Sequence, residues 1–160
     1  MKTTIIRHMA LAILLLLTVG LSGCGDEENT NGQITTRNVF DSGCKSYNNA
    51  KETNSLTKET ETITFTARKG RWLHVEHKNT LFNCCSDKIS VEVSQDDNII
   101  TVNEDENDQS CNCICPFDVE YEIGSLENTT YTLVMRRGGI EFFRQTVTFA
   151  DDLKKTYIIE

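Results

Sequence analysis

The stretch SCNCICPFDVEYEI, Ser110 to Ile123, places three cysteines at every second position and then alternates apolar and acidic side chains. A period of two is typical of a β-strand, because successive side chains point to opposite faces. The stretch therefore predicts a strand with one apolar face, one wet face and three thiols near its beginning. Its apolar face is formed by Phe117, Val119, Tyr121 and Ile123.

The same alternation recurs through most of the chain after residue 60, in about eight short runs, and no segment has a sustained 3.6-residue apolar repeat. The run KISVEVSQDDNIITVNE (88–104) predicts a β-hairpin whose turn is SQDDN, and TYIIE (156–160) predicts a last edge strand. Half-polar strands favour antiparallel sheets with one wet face. We therefore predict an all-β, antiparallel β-sandwich, with an open barrel as the alternative.

The turn-and-strand piece IGSLENTTYTLVM (123–135) resembles the corner of immunoglobulin-like and fibronectin-like modules, in which a tyrosine follows a turn. The resemblance covers about a dozen residues. It implies an immunoglobulin-like arrangement of the sandwich.

The N-terminus has the organisation of a secretory signal peptide. Lys2 and Arg7 give it positive charge, and the apolar run MALAILLLLTVGL (9–21) that follows is too short to cross a bilayer. Removal of residues 1–23 leaves 137 of the 160 residues, enough for one domain. We expect a lipidated tether and lead-in segment at 24–59 and the β-sandwich domain at 60–160.

The tetrapeptide LSGC (21–24) resembles the lipobox of bacterial lipoproteins. The resemblance implies cleavage before Cys24 and acylation of its sulfur and new amino group, so the lipid bilayer is the first expected partner. Asp26, Glu27 and Glu28 resemble the acidic export signal of Bacteroidetes lipoproteins. That signal implies the cell surface of the outer membrane, with a periplasm-facing location as the alternative.

Charge and motifs exclude several classes of function. Without Lys2 and Arg7, the mature chain has 14 basic and 24 acidic residues. Its net charge is therefore about −10, which repels nucleic acid. The sequence contains no GxSxG, no phosphate-binding glycine loop and no HExxH motif. We therefore predict a protein that is not an enzyme and uses no cofactor.

Apart from Cys24, the chain contains six cysteines, which predicts three disulfides in an exported protein, with fifteen possible connectivities. Residues two apart in a strand are separated by about 6.5–7 Å, at the upper limit for a disulfide. The cysteines of the CxCxC run should therefore bond outside their own strand. We expect the NCCSD bend to be stapled to this strand and the first cysteine to tie down the lead-in segment. The candidates are Cys44, Cys84, Cys85, Cys111, Cys113 and Cys115.

Two metal hypotheses compete with this interpretation. Close-set cysteines can bind zinc or copper(I), although the spacing lacks the CxxC pairs of zinc sites. His74 and Glu76 share one strand face and can form half a metal site, but the sequence shows no third ligand. We therefore predict disulfides, no metal site, and ordinary solvent-facing roles for His74 and Glu76. Trp72 is either an exposed platform for a sugar ring or a core or rim residue.

The elements FNCCSDKISVEV, CNCICPFDVEYEI and YTLVM together resemble a group of small cysteine-rich lipoproteins of Bacteroidetes, over residues 73–135. The resemblance implies a location and a cysteine framework but no activity. We expect a non-catalytic surface module that binds an extracellular ligand or envelope protein, or has a structural role. The alternatives are a metal-binding lipoprotein using the cysteine cluster and a protease inhibitor acting through the loop 105–110.

Overall fold

The computed structural model of the chain describes residues 34–45 and 60–159. These residues form nine β-strands and no helix. The strands are β1 (Thr35–Asp41), β2 (Thr62–Arg68), β3 (Trp72–Asn83), β4 (Ile89–Asp96), β5 (Ile99–Glu106), β6 (Ile114–Gly124), β7 (Thr130–Arg137), β8 (Ile140–Thr148) and β9 (Lys154–Ile158).

The strands form two sheets that pack face to face. The five-stranded sheet has the order β1-β6-β3-β2-β9, and the four-stranded sheet has the order β4-β5-β7-β8. The prediction of an all-β sandwich is confirmed. The predicted hairpin is β4 and β5, paired from Ile89 opposite Glu106 to Asp96 opposite Ile99. Neighbouring strands are antiparallel except β5 and β7, which run parallel and make the four-stranded sheet mixed.

The strand order follows the immunoglobulin arrangement in part. Strands β2, β3 and β6 lie side by side in one sheet, as strands A, B and E do in immunoglobulin domains, and β7 and β8 pair as F and G do. At the β6–β7 corner, the Tyr131 hydroxyl accepts a hydrogen bond from the Glu127 backbone N–H at 3.0 Å. This is the predicted tyrosine corner. The β4–β5 hairpin departs from that arrangement, because its second strand lies beside β7 and leaves β4 at the edge.

The core lies between the two sheets and is built from the apolar side chains at every second position of the strands. Tyr121, Phe65 and Phe117 are its largest fully buried side chains, and all have 1 % or less of their surface exposed. Rings of Phe65, Phe143 and Tyr157 pack mutually with centroids 5.2–6.0 Å apart at one end. Aromatic contacts of this kind add to the burial of apolar surface, which is the main stabilising contribution in a sandwich of this size.

The segment 24–59 contributes a strand that sequence analysis did not predict. β1 lies inside the expected tether and lead-in segment, yet it pairs with β6, and the preceding Ile34 is buried. The sandwich therefore begins before residue 60. The period-two pattern is broken in β1 by a register shift between Arg37 and Phe40, where Asn38 has a φ of 53°. A bulge of this kind adds a residue to one strand, so the apolar alternation is lost.

Candidate functional site

Three disulfides join the six candidate cysteines, so disulfide bonding is confirmed. Each cysteine of the CxCxC run bonds outside its own segment, and the Cα separations of 5.6–5.8 Å are usual for a disulfide. A sulfur held in a disulfide offers no thiolate to a metal, so the structure contradicts a zinc or copper site built from these cysteines. The pairs are Cys44–Cys115, Cys84–Cys113 and Cys85–Cys111.

The bend after β3 aligns two of these pairs. Asn83 lies opposite Ile114 in the β3–β6 ladder, and the Cys84 N–H donates to the Cys113 carbonyl at 3.3 Å just beyond it. The Asn83 side chain donates to the Cys111 carbonyl at 2.6 Å and accepts from the Cys85 N–H at 3.0 Å. One asparagine thus fixes both sides of the bend. β6 begins only at Ile114, later than the strand predicted from residue 110.

The third disulfide fastens β1 and the residues after it to β6. The Ser42 N–H donates to the Asp118 carbonyl and the Lys45 N–H to the Pro116 carbonyl, both at 2.9 Å. Cys44 lies between these two bonds and reaches the buried Cys115. This agrees with the expectation that Cys44 ties down the segment before residue 60.

An ion cluster formed by Glu61, His77, Glu104 and Arg137 lies between the sheets; His77 and Glu104 are fully buried, and Glu61 and Arg137 are half-buried. His77 on β3 has no exposed surface; its Nδ1 lies 2.6 Å from a Glu104 oxygen and its Nε2 lies 2.8 Å from a Glu61 oxygen. A carboxylate can only accept hydrogen bonds, so both ring nitrogens must donate. With both glutamates ionised, this arrangement is that of an imidazolium cation. The Tyr121 hydroxyl donates to the other Glu104 oxygen at 2.9 Å.

Arg137 on β7 completes the charge balance of the cluster. Its guanidinium contacts Glu61 and donates to the Thr80 hydroxyl at 2.7 Å. The guanidinium carbon also lies 4.7 Å from the centroid of the Phe142 ring. The His77 ring stacks on the same Phe142 ring, with the two centroids 5.5 Å apart. Two carboxylates thus face two cations, and a neutral His77 would leave one negative charge unbalanced in the interior.

The pKa values of the cluster follow from these contacts. Burial alone would lower the pKa of His77, but the charge and hydrogen bond of Glu104, assisted by Glu61, raise it to about 9. Burial would raise the pKa of Glu61, yet the bonds from His77 and Arg137 hold it below its usual value. Burial and the nearby Glu104 charge raise the pKa of Tyr121 well above the ordinary value.

The cluster stabilises the contact between the sheets and offers little room for chemistry. His77 and Tyr121 come from the five-stranded sheet, while Glu104 and Arg137 come from the four-stranded one. Glu104 is fully buried, and its two carboxylate oxygens are hydrogen-bonded to His77 and Tyr121. His77 was not predicted as a functional residue. It lies two residues after Val75 and four after Leu73, so the period of two in the strand indicates that its side chain also points into the core.

His74 and Glu76, in contrast, project from the outer face of β3 and are half-buried. Glu120 of β6 lies directly opposite Glu76, and ligand atoms of the three residues lie within 4.8 Å of one another. Sequence analysis could not find Glu120 as a third ligand, because it is 44 positions from Glu76 and only the strand register brings the two together.

Trp72 lies on this same outer face and is half-buried. The Arg37 guanidinium covers its ring at 3.6 Å from the centroid and also donates to Glu122 at 2.7 Å. An occupied ring face is no open platform for a sugar. The structure therefore favours the rim role for Trp72.

The loop 105–110, predicted as a protease-binding loop in one alternative, is held by hydrogen bonds to the neighbouring bend. The Asn107 side chain accepts from the Ser86 hydroxyl at 2.9 Å and donates to Asp87 at 2.6 Å, which fastens the loop to the NCCSD bend.

A shallow, open groove of about 330 Å³ crosses the four-stranded sheet, lined in part by Glu92 and Arg136. It is wide and mixed in character, unlike the enclosed pockets that hold small molecules.

Cys24 and the acidic residues that follow it lie outside the described residues. Within 34–45 and 60–159, no helix has the length and apolarity needed to cross a membrane.

Comparison with known proteins gives no match among family models, curated proteins or solved structures.

Proposed function

We propose that the protein is an acylated lipoprotein of the outer membrane whose β-sandwich is a non-catalytic binding or structural module at the cell surface. The observation that supports the proposal is how the seven cysteines are divided between disulfides and the lipobox. Three disulfides consume six of the seven cysteines. The remaining one, Cys24, stands at the position that the lipobox resemblance assigns to acylation.

The disulfides also support an exported location. Protein disulfides form and persist in oxidising compartments and are rare in the cytosol. The bridge Cys44–Cys115 closes a separation of 71 residues, and such long closures stabilise a small domain by about 4 kcal/mol. Three disulfides are suited to the cell exterior, where the environment is oxidising.

A binding or structural role agrees with the surfaces that the described residues present. The ionisable groups with the most altered pKa values belong to a buried cluster that bridges the sheets rather than to an open cleft. The mature chain carries a net charge of about −10, which favours a basic protein or a divalent cation as partner over another acidic surface.

The proposal is tested by expressing the full-length chain in a Gram-negative host with labelled palmitate. We expect the wild type to incorporate the label and fractionate with membranes, and Cys24→Ser to lose both properties. The matched control is the double variant Cys85→Ser/Cys111→Ser, which removes two cysteines and should keep the label. Membrane association of Cys24→Ser equal to that of the wild type would refute the anchor.

Two further measurements address the disulfides and the face of the membrane. The intact protein should weigh six hydrogens less than its reduced form, since three disulfides are present. A fully reduced mass would contradict the stapled domain. Externally added protease should digest the protein on intact cells; protection until the outer membrane is opened would indicate the periplasm-facing alternative.

A further inference from the structure

The outer face of the five-stranded sheet gathers one imidazole and two carboxylates at a single point. Glu76 on β3 and Glu120 on β6 are direct partners in the ladder, and His74 lies two residues from Glu76 on the same face. A ring nitrogen and one oxygen from each carboxylate all lie within 4.8 Å of one another. All three side chains are half-buried on this face.

The charges around this point show that the carboxylate pair lacks a counterion. The acidic row on β6 consists of Asp118, Glu120 and Glu122. Its two outer members are neutralised, Asp118 by Lys45 and Glu122 by Arg37. Among the described residues, no Lys, Arg or His forms a salt bridge with the central Glu120 or with Glu76. Like charges directly opposite in a ladder repel each other, and a bound cation removes that repulsion.

We propose that His74, Glu76 and Glu120 bind a divalent transition-metal ion of the zinc class. One nitrogen and two carboxylate oxygens match zinc sites that have three protein ligands and an open position. Calcium takes oxygen ligands only, so an imidazole donor disfavours it. This site uses none of the cysteines, and it does not depend on the lipid anchor.

The geometry needs only a small adjustment to accept the ion. Zinc ligands lie about 2.0–2.2 Å from the metal, so ligand atoms around a tetrahedral ion are roughly 3.4 Å apart. The present separations of up to 4.8 Å close by rotation of the two long glutamate side chains. The backbone stays in place because His74, opposite Glu122, and Glu76, opposite Glu120, are fixed in the ladder. The open coordination position is available to water or to a donor group from a partner protein.

The test is calorimetric titration of the full-length, oxidised protein in detergent with zinc chloride and, separately, calcium chloride. We expect one zinc per chain and much weaker calcium binding. His74→Ala and Glu120→Gln should each weaken zinc binding by at least about tenfold, since even loss of an outer-shell partner costs that much. Glu92→Gln is the matched control, because it removes an exposed carboxylate from the other sheet. No zinc binding, or an equal loss in the control, would overturn the proposal.

Thermal unfolding separates a metal ligand from a structural residue. Without metal, Glu120→Gln should unfold at the same temperature as the wild type or higher, because one of two repelling charges is gone. Added zinc should raise the unfolding temperature of the wild type and leave that of Glu120→Gln unchanged. A lower unfolding temperature of the metal-free variant would overturn the proposal, since Glu120 would then stabilise the fold by itself.

Discussion

Raising the pH should destabilise the protein through one buried side chain, His77. In the folded protein its pKa is raised to about 9, whereas an unfolded chain titrates histidine at the ordinary value of 6.5. Between these values the folded state binds more protons than the unfolded state. The contribution to stability is therefore fully present below pH 6.5 and is lost as the pH rises through 9.

The size of the loss follows from the shift. Each pKa unit corresponds to about 1.36 kcal/mol, so the rise from 6.5 to about 9 is worth about 3 kcal/mol. This is a large part of the 5–15 kcal/mol that stabilises a typical domain. Ordinary tyrosines are half-ionised near pH 10. The comparison should therefore stay below that value, so that the contribution of Tyr121 remains small.

The assay is urea unfolding of the oxidised protein at about pH 6 and about pH 9.5, followed by the fluorescence of Trp72, the single tryptophan of the chain. The wild type should lose about 3 kcal/mol between the two conditions. His77→Gln should be less stable at the lower pH and should lack this dependence. His74→Gln, which changes a histidine on the outer face of the same strand, should keep it. An equal pH dependence in wild type and His77→Gln would refute the reasoning.

Three further variants test the fold. Glu104→Leu leaves the His77 charge buried without its main partner, so urea unfolding should show a loss of about 3–5 kcal/mol; a loss below about 1 kcal/mol would contradict the ion cluster. The double variant Cys44→Ser/Cys115→Ser opens a closure of 71 residues and should lose about 4 kcal/mol in the same assay, and unchanged stability would show that the bond is dispensable. Tyr131→Phe removes the corner hydrogen bond and should lower the unfolding free energy by about 1 kcal/mol, whereas no change would mean that water replaces it.

The sequence predicts most strands because burial imposes a period of two. In β6, Phe117, Val119, Tyr121 and Ile123 alternate with acidic residues and are all buried, as the pattern indicates. The tyrosine corner was also predictable, because it depends on a local turn and a bond between residues four apart. The disulfide partners followed in outline, because Cys111, Cys113 and Cys115 all bond outside their own run, although only Cys115 lies within β6.

The sequence could not predict contacts that depend on the register of distant strands. Glu76 meets Glu120, and His77 meets Glu104, only because particular strands pair and the two sheets pack together. The parallel pairing of β5 with β7 has no local signal either, as both strands alternate like antiparallel ones. β1 was missed because its bulge interrupts the alternation that identifies the other strands.

The bond between Cys44 and Cys115 has a consequence for proteolysis. It connects the residues that follow β1 covalently to β6, so the polypeptide between Cys44 and β2 is not the only covalent link between the N-terminal portion and the rest of the domain. A single cut anywhere in 46–59 would divide the backbone, yet both fragments would stay together until a reductant was added. A lipid carried at the N-terminus would thus retain a domain cut in this segment, and release of that cut domain into the medium would require reduction of the disulfide as well as hydrolysis.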